Sequence, residues 1–138
     1  IKAYDDLPEQ AKIDFQDLQI TLGHEHGKYS TSPFFNEHHS VDKPMNLVYT
    51  NALGKTGLYF PFLQTFGMIG KTEEEFQEIY QYLVNHVKQE KFMYHHDWKD
   101  GDVVISEQWL SIHKRWPFKK MEDRVLHRIA FDYSKIGI

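Results

Sequence analysis

Residues 98–113 read Trp98-Lys99-Asp100-Gly101-Asp102-Val103-Val104-Ile105-Ser106-Glu107-Gln108-Trp109-Leu110-Ser111-Ile112-His113. Lys99-Asp100-Gly101 is a turn signal, and the β-branched run behind it reads as a short strand over residues 102–106. The run from Trp109 then brings the imidazole of His113 in among apolar neighbours. Because the basic, proline-containing stretch 114–120 reads as a surface loop, His113 is expected at a boundary between core and solvent. Beyond it, Arg124-Val125-Leu126-His127-Arg128-Ile129-Ala130-Phe131 is again β-like. Strand side chains alternate, so Arg124, Leu126 and Arg128 are expected on one face. At a rise of about 3.3 Å per residue the two arginine Cα atoms lie roughly 13 Å apart, which suits two anions in one cavity better than one shared carboxylate. Two guanidinium forks facing one side suggest two acidic ligands.

Outward from this stretch the chain divides into a helix and loop over residues 1–44 and a run of strands with one helix over 45–138. Leu7-Pro8-Glu9 opens a helix, with proline tolerated in its first turn, and Ile13, Phe15, Leu18 and Leu22 form an imperfect apolar stripe that ends near Gly23. Residues 24–44 are polar and rich in His, Ser and Pro, a long loop of the functional or mobile kind. A strand over 47–50 follows. Residues 52–70 are glycine-punctuated and aromatic (Tyr59, Phe60, Phe62, Phe66), which suggests a lid or an interface over a pocket. Thr72-x-x-Glu75 is a capping box for a helix to about Lys88 whose buried side carries Phe76, Ile79, Tyr80, Leu83 and Val87. Strands are expected at 92–95, 102–106 and 124–133. Short strands with long inserts fit a mainly β fold with flanking helices, a double-stranded β-helix or jelly roll.

Composition excludes more than it selects. With 138 residues, 41% of them hydrophobic, and a formal charge of −4, the chain is one globular domain or less, without the charge extreme that would imply nucleic acid or a membrane surface. It has no cysteine, hence no disulfide or thiolate chemistry, which fits a reducing cytoplasm. No apolar run approaches a membrane span.

The order Trp98, Gly101-Asp102, His113, Arg124, Arg128, with eleven and four residues separating the last three, resembles the closing pattern of the taurine dioxygenase/TfdA family of Fe(II)/2-oxoglutarate-dependent oxygenases. Upstream, Asn36-Glu37-His38-His39-Ser40-Val41 and Leu47-Val48-Tyr49-Thr50-Asn51 are similar to that family's HPV segment and the strand after it, so the resemblance spans roughly residues 36–134. It implies the C-terminal part of a jelly-roll oxygenase domain, with Fe(II), 2-oxoglutarate and O2 as cofactor and co-substrates. His113 would be the distal iron ligand and Arg124 the partner of the 2-oxoglutarate side carboxylate. Arg128 would meet an acidic substrate group or support the co-substrate, and Tyr49 would form an aromatic pocket wall. The implied reaction hydroxylates a small, anionic or amino-acid-derived metabolite and releases succinate and CO2, with desaturation as the alternative outcome. Glu107-Gln108 stand where the family usually has an Asp-Asn pair, which detaches the substrate from that of any one member.

An iron site of this type needs two histidines and a carboxylate on one face of the metal. With Ile1 as its first residue and its first forty residues resembling the middle of a family member, the chain is expected to be a C-terminal segment, the other two ligands lying in an N-terminal part. His95-His96-Asp97 offers a competing His-x-Asp with His113, but it precedes the turn directly, and a structural role is preferred. His24-Glu25-His26 lacks a carboxylate at a metal-facing position. The bland readings stand beside these: a hydrogen-bonded His113, arginines bridging Glu122 and Asp123 at the surface, and Tyr49 in the core. The competing function is a non-catalytic jelly-roll module that binds an acidic ligand. A homo-oligomer is left open.

Overall fold

The structure is a computed structural model that describes residues 1–22, 44–62, 64–113 and 127–129. Helices α1 (Lys2–Asp5) and α2 (Glu9–Phe15) lead into strand β1 (Gln19–Leu22). Strands β2 (Met45–Asn46), β3 (Val48–Thr50), β4 (Thr56–Leu58) and β5 (Thr65–Met68) follow, then helix α3 (Glu73–Val87) and a 3-10 turn at Glu90–Phe92. The strands form two antiparallel sheets, one in the order β2-β1-β5 and the other a β3-β4 hairpin.

Helix α2, the first that the sequence predicts, is shorter than its stripe suggested. It ends at Phe15, and Leu18-Gln19-Ile20-Thr21-Leu22 alternates apolar and polar with a period of two, which places Ile20 and Leu22 inward at 0% and 2% exposure. Ile13, counted in the helical stripe, is 67% exposed. The expected insert over 1–44 therefore contains the central strand of the larger sheet.

The β3–β4 turn is held by one side chain. The Asn51 Oδ1 accepts the backbone N–H groups of Leu53 (3.0 Å) and Lys55 (2.9 Å), while Gly54 takes the left-handed φ of 71° that closes the loop. Behind the hairpin the core gathers Leu18, Ile20, Leu22, Leu47, Leu58, Phe60 and Met68 against Phe76, Leu83 and Val84 of α3. The aromatic stretch expected to be a lid is thus split: Phe60 is fully buried in the core, Phe66 is exposed, and Tyr59 and Phe62 pack at the core's edge.

Helix α3 starts where the sequence placed it. Thr72 Oγ1 accepts from Glu75 N at 3.3 Å and Glu75 Oε2 accepts from Thr72 N at 2.8 Å, a complete capping box. That hydrogen bond from Thr72 N holds the Glu75 carboxyl below its ordinary value, with Lys71 adding to the effect.

Past α3, two expected strands are absent. Residues 92–95 leave the 3-10 turn as irregular chain, and 102–106 pair with no strand among the described residues, leaving Val103 and Ile105 more than 80% exposed. β-Branched composition creates a strand only where a partner edge is at hand. The turn before them is real: Gly101 has φ 91°, Asp102 N donates to Lys99 O at 3.1 Å, and Asp102 Oδ2 accepts from Lys99 N at 2.9 Å. Of the expected strand 124–133 only His127–Ile129 are described, exposed and outside regular structure. Of the loop 24–44 only Pro44 is described; Asn36–Val41 and His24-Glu25-His26 lie outside the described residues. Among the described residues no helix is long and apolar enough to cross a membrane.

Candidate functional site

A cleft of about 890 Å³ opens where three parts of the chain meet: the segment leaving β4, one face of α3, and the irregular stretch 106–113 together with Arg128. The first part contributes Tyr59 and Phe62, the second Tyr80 and Lys88, the third Gln108, Trp109 and His113.

Each wall is fixed by a specific contact. The Tyr80 hydroxyl donates to the Phe62 carbonyl at 2.7 Å, which ties the post-β4 segment to α3. Lys88 sits just past the last turn of α3 with its ammonium 5.5 Å from the centre of the Phe62 ring, within cation–π range. The third wall is pinned at Leu110, which is buried at 8% exposure and touches β4 at Gly57, where an added Cβ would stand 3.0 Å from Leu110 Cδ2. Beside it the Trp109 ring packs on Tyr59 and Tyr49, with centroids 5.2 Å and 5.6 Å apart. A hydrogen bond from Ser111 Oγ to the Glu107 carbonyl closes the turn that presents Gln108 and Trp109. Gln108 Oε1 in turn accepts from Arg128 Nη2 at 2.7 Å.

Two of the four site residues expected from sequence, His113 and Arg128, therefore line one cleft. Tyr49 does not line it; it stands behind Trp109 and supports that ring. Arg124 lies outside the described residues. Sequence reasoning passed over Lys88 and Trp109, and treated Gln108 as a departure from a pattern although it is the partner of Arg128. Tyr59 was noted only as part of an aromatic run. The alternation within 106–113 could not reveal these roles, because the stretch is neither strand nor helix.

The electrostatics favour anions. Among the described lining residues there is lysine, arginine and histidine but neither aspartate nor glutamate, in a chain of formal charge −4. Burial pushes the Tyr59 phenol up from its ordinary value, so it remains a neutral hydrogen-bond donor at physiological pH. In the competing His-x-Asp, His95 Nε2 meets Glu90 at 3.0 Å, and the intervening His96 bridges Tyr94 and Asp102 at 2.9 Å and 3.1 Å. No group of three His, Asp or Glu side chains among the described residues could hold a metal ion.

The described residues thus form a small antiparallel β scaffold with a cleft walled by aromatic rings and carrying lysine, arginine and histidine side chains. The family model described as "Taurine catabolism dioxygenase TauD, TfdA family" matches residues 1–130, and the chain belongs to that family. The match extends some thirty-five residues further toward the N-terminus than the sequence motifs alone reach. Among curated relatives, the chain is 25% identical over 130 residues to an alpha-ketoglutarate-dependent 2,4-dichlorophenoxyacetate dioxygenase from Burkholderia sp. (strain RASC), covering 91% of this chain and 44% of that protein. It is 25% identical over 77 residues to pentalenolactone F synthase from Streptomyces arenae, covering 56% of this chain and 26% of the relative. A crystal structure of AAD-2 in complex with Mn(II) and N-oxalylglycine superposes with a TM-score of 0.53 at 23% identity, covering 71% of this chain and 40% of that one. The fold is thus shared with the jelly-roll dioxygenases of the family. The chain spans less than half the length of each of these relatives.

Proposed function

We propose that this chain is the C-terminal part of a non-haem Fe(II)/2-oxoglutarate-dependent oxygenase acting on a small anionic or amino-acid-derived metabolite. The reading rests on one observation above all: in a chain of the TauD/TfdA family, His113 and Arg128 line the same cleft, in which no described lining residue is acidic. The donor set fits the metal in part. His113 would supply one imidazole ligand, and the remaining histidine and carboxylate would come from the portion of the relatives' length that this chain does not span. Arg124 would take the side carboxylate of 2-oxoglutarate. When bound, the iron supplies oxidation of a substrate C–H bond by O2, with 2-oxoglutarate converted to succinate and CO2; hydroxylation is the default outcome and desaturation the alternative.

The residues of this chain bind, orient and exclude water. Arg128, aimed by its bond to Gln108, offers a planar fork to a carboxylate or sulfonate. Tyr59, Phe62 and Trp109 wall the cleft with apolar surface, and the neutral Tyr59 phenol can donate to a substrate oxygen. Cytoplasmic location is part of the same proposal.

The test is anaerobic Fe(II) titration and 2-oxoglutarate-dependent succinate release with the intact protein. His113→Ala should lose most iron affinity. Arg124→Ala should raise the 2-oxoglutarate requirement by about two orders of magnitude, as expected for removing one partner of a buried charged pair. Iron binding and succinate release that survive both substitutions would overturn the assignment. An acidic ligand bound with no iron and no succinate would identify a binding module instead.

A further inference from the structure

Arg128 accounts for one acidic group in the cleft, yet the cleft holds a second permanent cation that the proposed reaction has not used. Lys88 comes from a different element than Arg128 and reaches the same space. Its placement is built rather than incidental. The ammonium rests on the Phe62 ring, itself part of the lining, and the Phe62 backbone is locked to α3 by the Tyr80 hydroxyl eight residues before Lys88. Lys88 and the ring it rests on are therefore positioned by one helix. No carboxylate among the described residues is paired with Lys88, and none of the described lining residues is acidic.

Two cations carried on separate elements, with no acidic residue among the described lining residues, discriminate by charge count. A mono-acid satisfies Arg128 and leaves Lys88 to solvent. A substrate bearing a second acidic group satisfies both, and the aromatic rings of Tyr59, Phe62 and Trp109 cover the apolar frame that separates the two acids. Lysine suits the second position because a compact ammonium on a flexible stem meets an acid at varied angles, whereas the planar fork of Arg128 fixes the first.

We propose that Lys88 is a specificity-determining residue that selects diacidic substrates in this cleft, an inference that rests on the cleft being the substrate pocket with Arg128 as its first anion site. Three probes of one shape separate the terms: phenylsuccinate with two carboxylates, 3-phenylpropanoate with one, and 3-phenylpropanamide with none. Binding to the intact protein is followed through tryptophan fluorescence, since Trp109 lines the cleft. Lys88→Gln, which keeps most of the stem, should weaken phenylsuccinate about tenfold and leave 3-phenylpropanoate within about twofold. Lys88→Arg should restore most of the preference, and Arg128→Gln should weaken both acids. If Lys88→Gln leaves the diacid preference intact, or weakens both acids alike, while Arg128→Gln still weakens them, the role of Lys88 is overturned and the anion pocket stands. If the parent protein binds the neutral amide as tightly as either acid, the cleft is not an anion pocket and both readings fall.

Discussion

At the scale of single residues, the site depends on side chains whose work is to hold others. Gly57 is the clearest case. A Cβ at this position would lie 3.0 Å from both the Leu110 side chain and the backbone nitrogen of Ile1, so glycine is favoured here by close approach and not by an unusual φ. Leu110 is the buried anchor of the stretch that presents Gln108, Trp109 and His113, and a displaced Leu110 moves all three. Gly57→Val should therefore destabilise the protein by about 1 to 3 kcal/mol, the usual cost of overpacking, and should shift Trp109 emission as its contacts with Tyr49 and Tyr59 loosen. Unfolding curves and emission spectra compared with Gly57→Ala check it; a valine variant with parental stability and spectrum would show that the Leu110 anchor gives way freely. None of this dependence was visible in the sequence, because glycine there reads as turn punctuation until the packing partner from position 110 is known.

Elements were legible to the degree that their signal was local. The capping box of α3 lies within four residues, and the helix begins at the position those residues dictate. Thr72→Ala should cost about 1 kcal/mol in thermal or denaturant unfolding, the ordinary loss for removing an N-cap hydroxyl. The Glu75 half of the box has a pH signature. Its carboxyl is held below the ordinary value of 4.5, so its stabilising contribution is present above that value and is lost as pH falls through the lower folded one. Acidification should narrow the stability difference between the parent and Glu75→Gln, and a difference that stays constant with pH would remove the box from the account. By contrast β1 was misread because Phe15, Leu18 and Leu22 match helical spacing while Leu18, Ile20 and Leu22 match a strand. Pairing with β2 and β5 decides for the strand, and those partners lie 27 and about 45 residues away in the chain. The run 102–106 failed in the opposite sense: its composition is that of a strand, and no partner edge among the described residues meets it.

For the whole molecule, the ordering of residue types along the chain revealed the family, since the His113, Arg124 and Arg128 spacing needs no tertiary information, while the cleft depends on contacts between distant segments. One such contact closes the described structure on itself. His86, buried near the end of α3, places Nε2 2.7 Å from the Ala3 carbonyl, eighty-three residues away in sequence. A carbonyl only accepts, so Nε2 carries the proton and Nδ1 is left to accept from the Gln89 amide at 3.3 Å. The ring also stacks on Tyr82 with planes 9° apart and leans on Phe92, so α1, α3 and the 3-10 turn all meet at this imidazole. The neighbouring link between the same regions, Lys91 to Asp6 at 2.7 Å, is exposed and screened by water, and contributes little beyond geometry. His86→Ala should therefore destabilise the protein by about 1 to 3 kcal/mol, because it removes ring packing and strands a partly buried carbonyl, while Lys91→Ala should leave stability nearly unchanged. Since α1 packs over β4, whose Gly57 receives Leu110, loosening α1 should also be felt at the cleft as weaker probe binding in His86→Ala. A loss in Lys91→Ala that exceeds the loss in His86→Ala would mean that the exposed ion pair, more than the buried histidine, joins α1 to the rest of the fold.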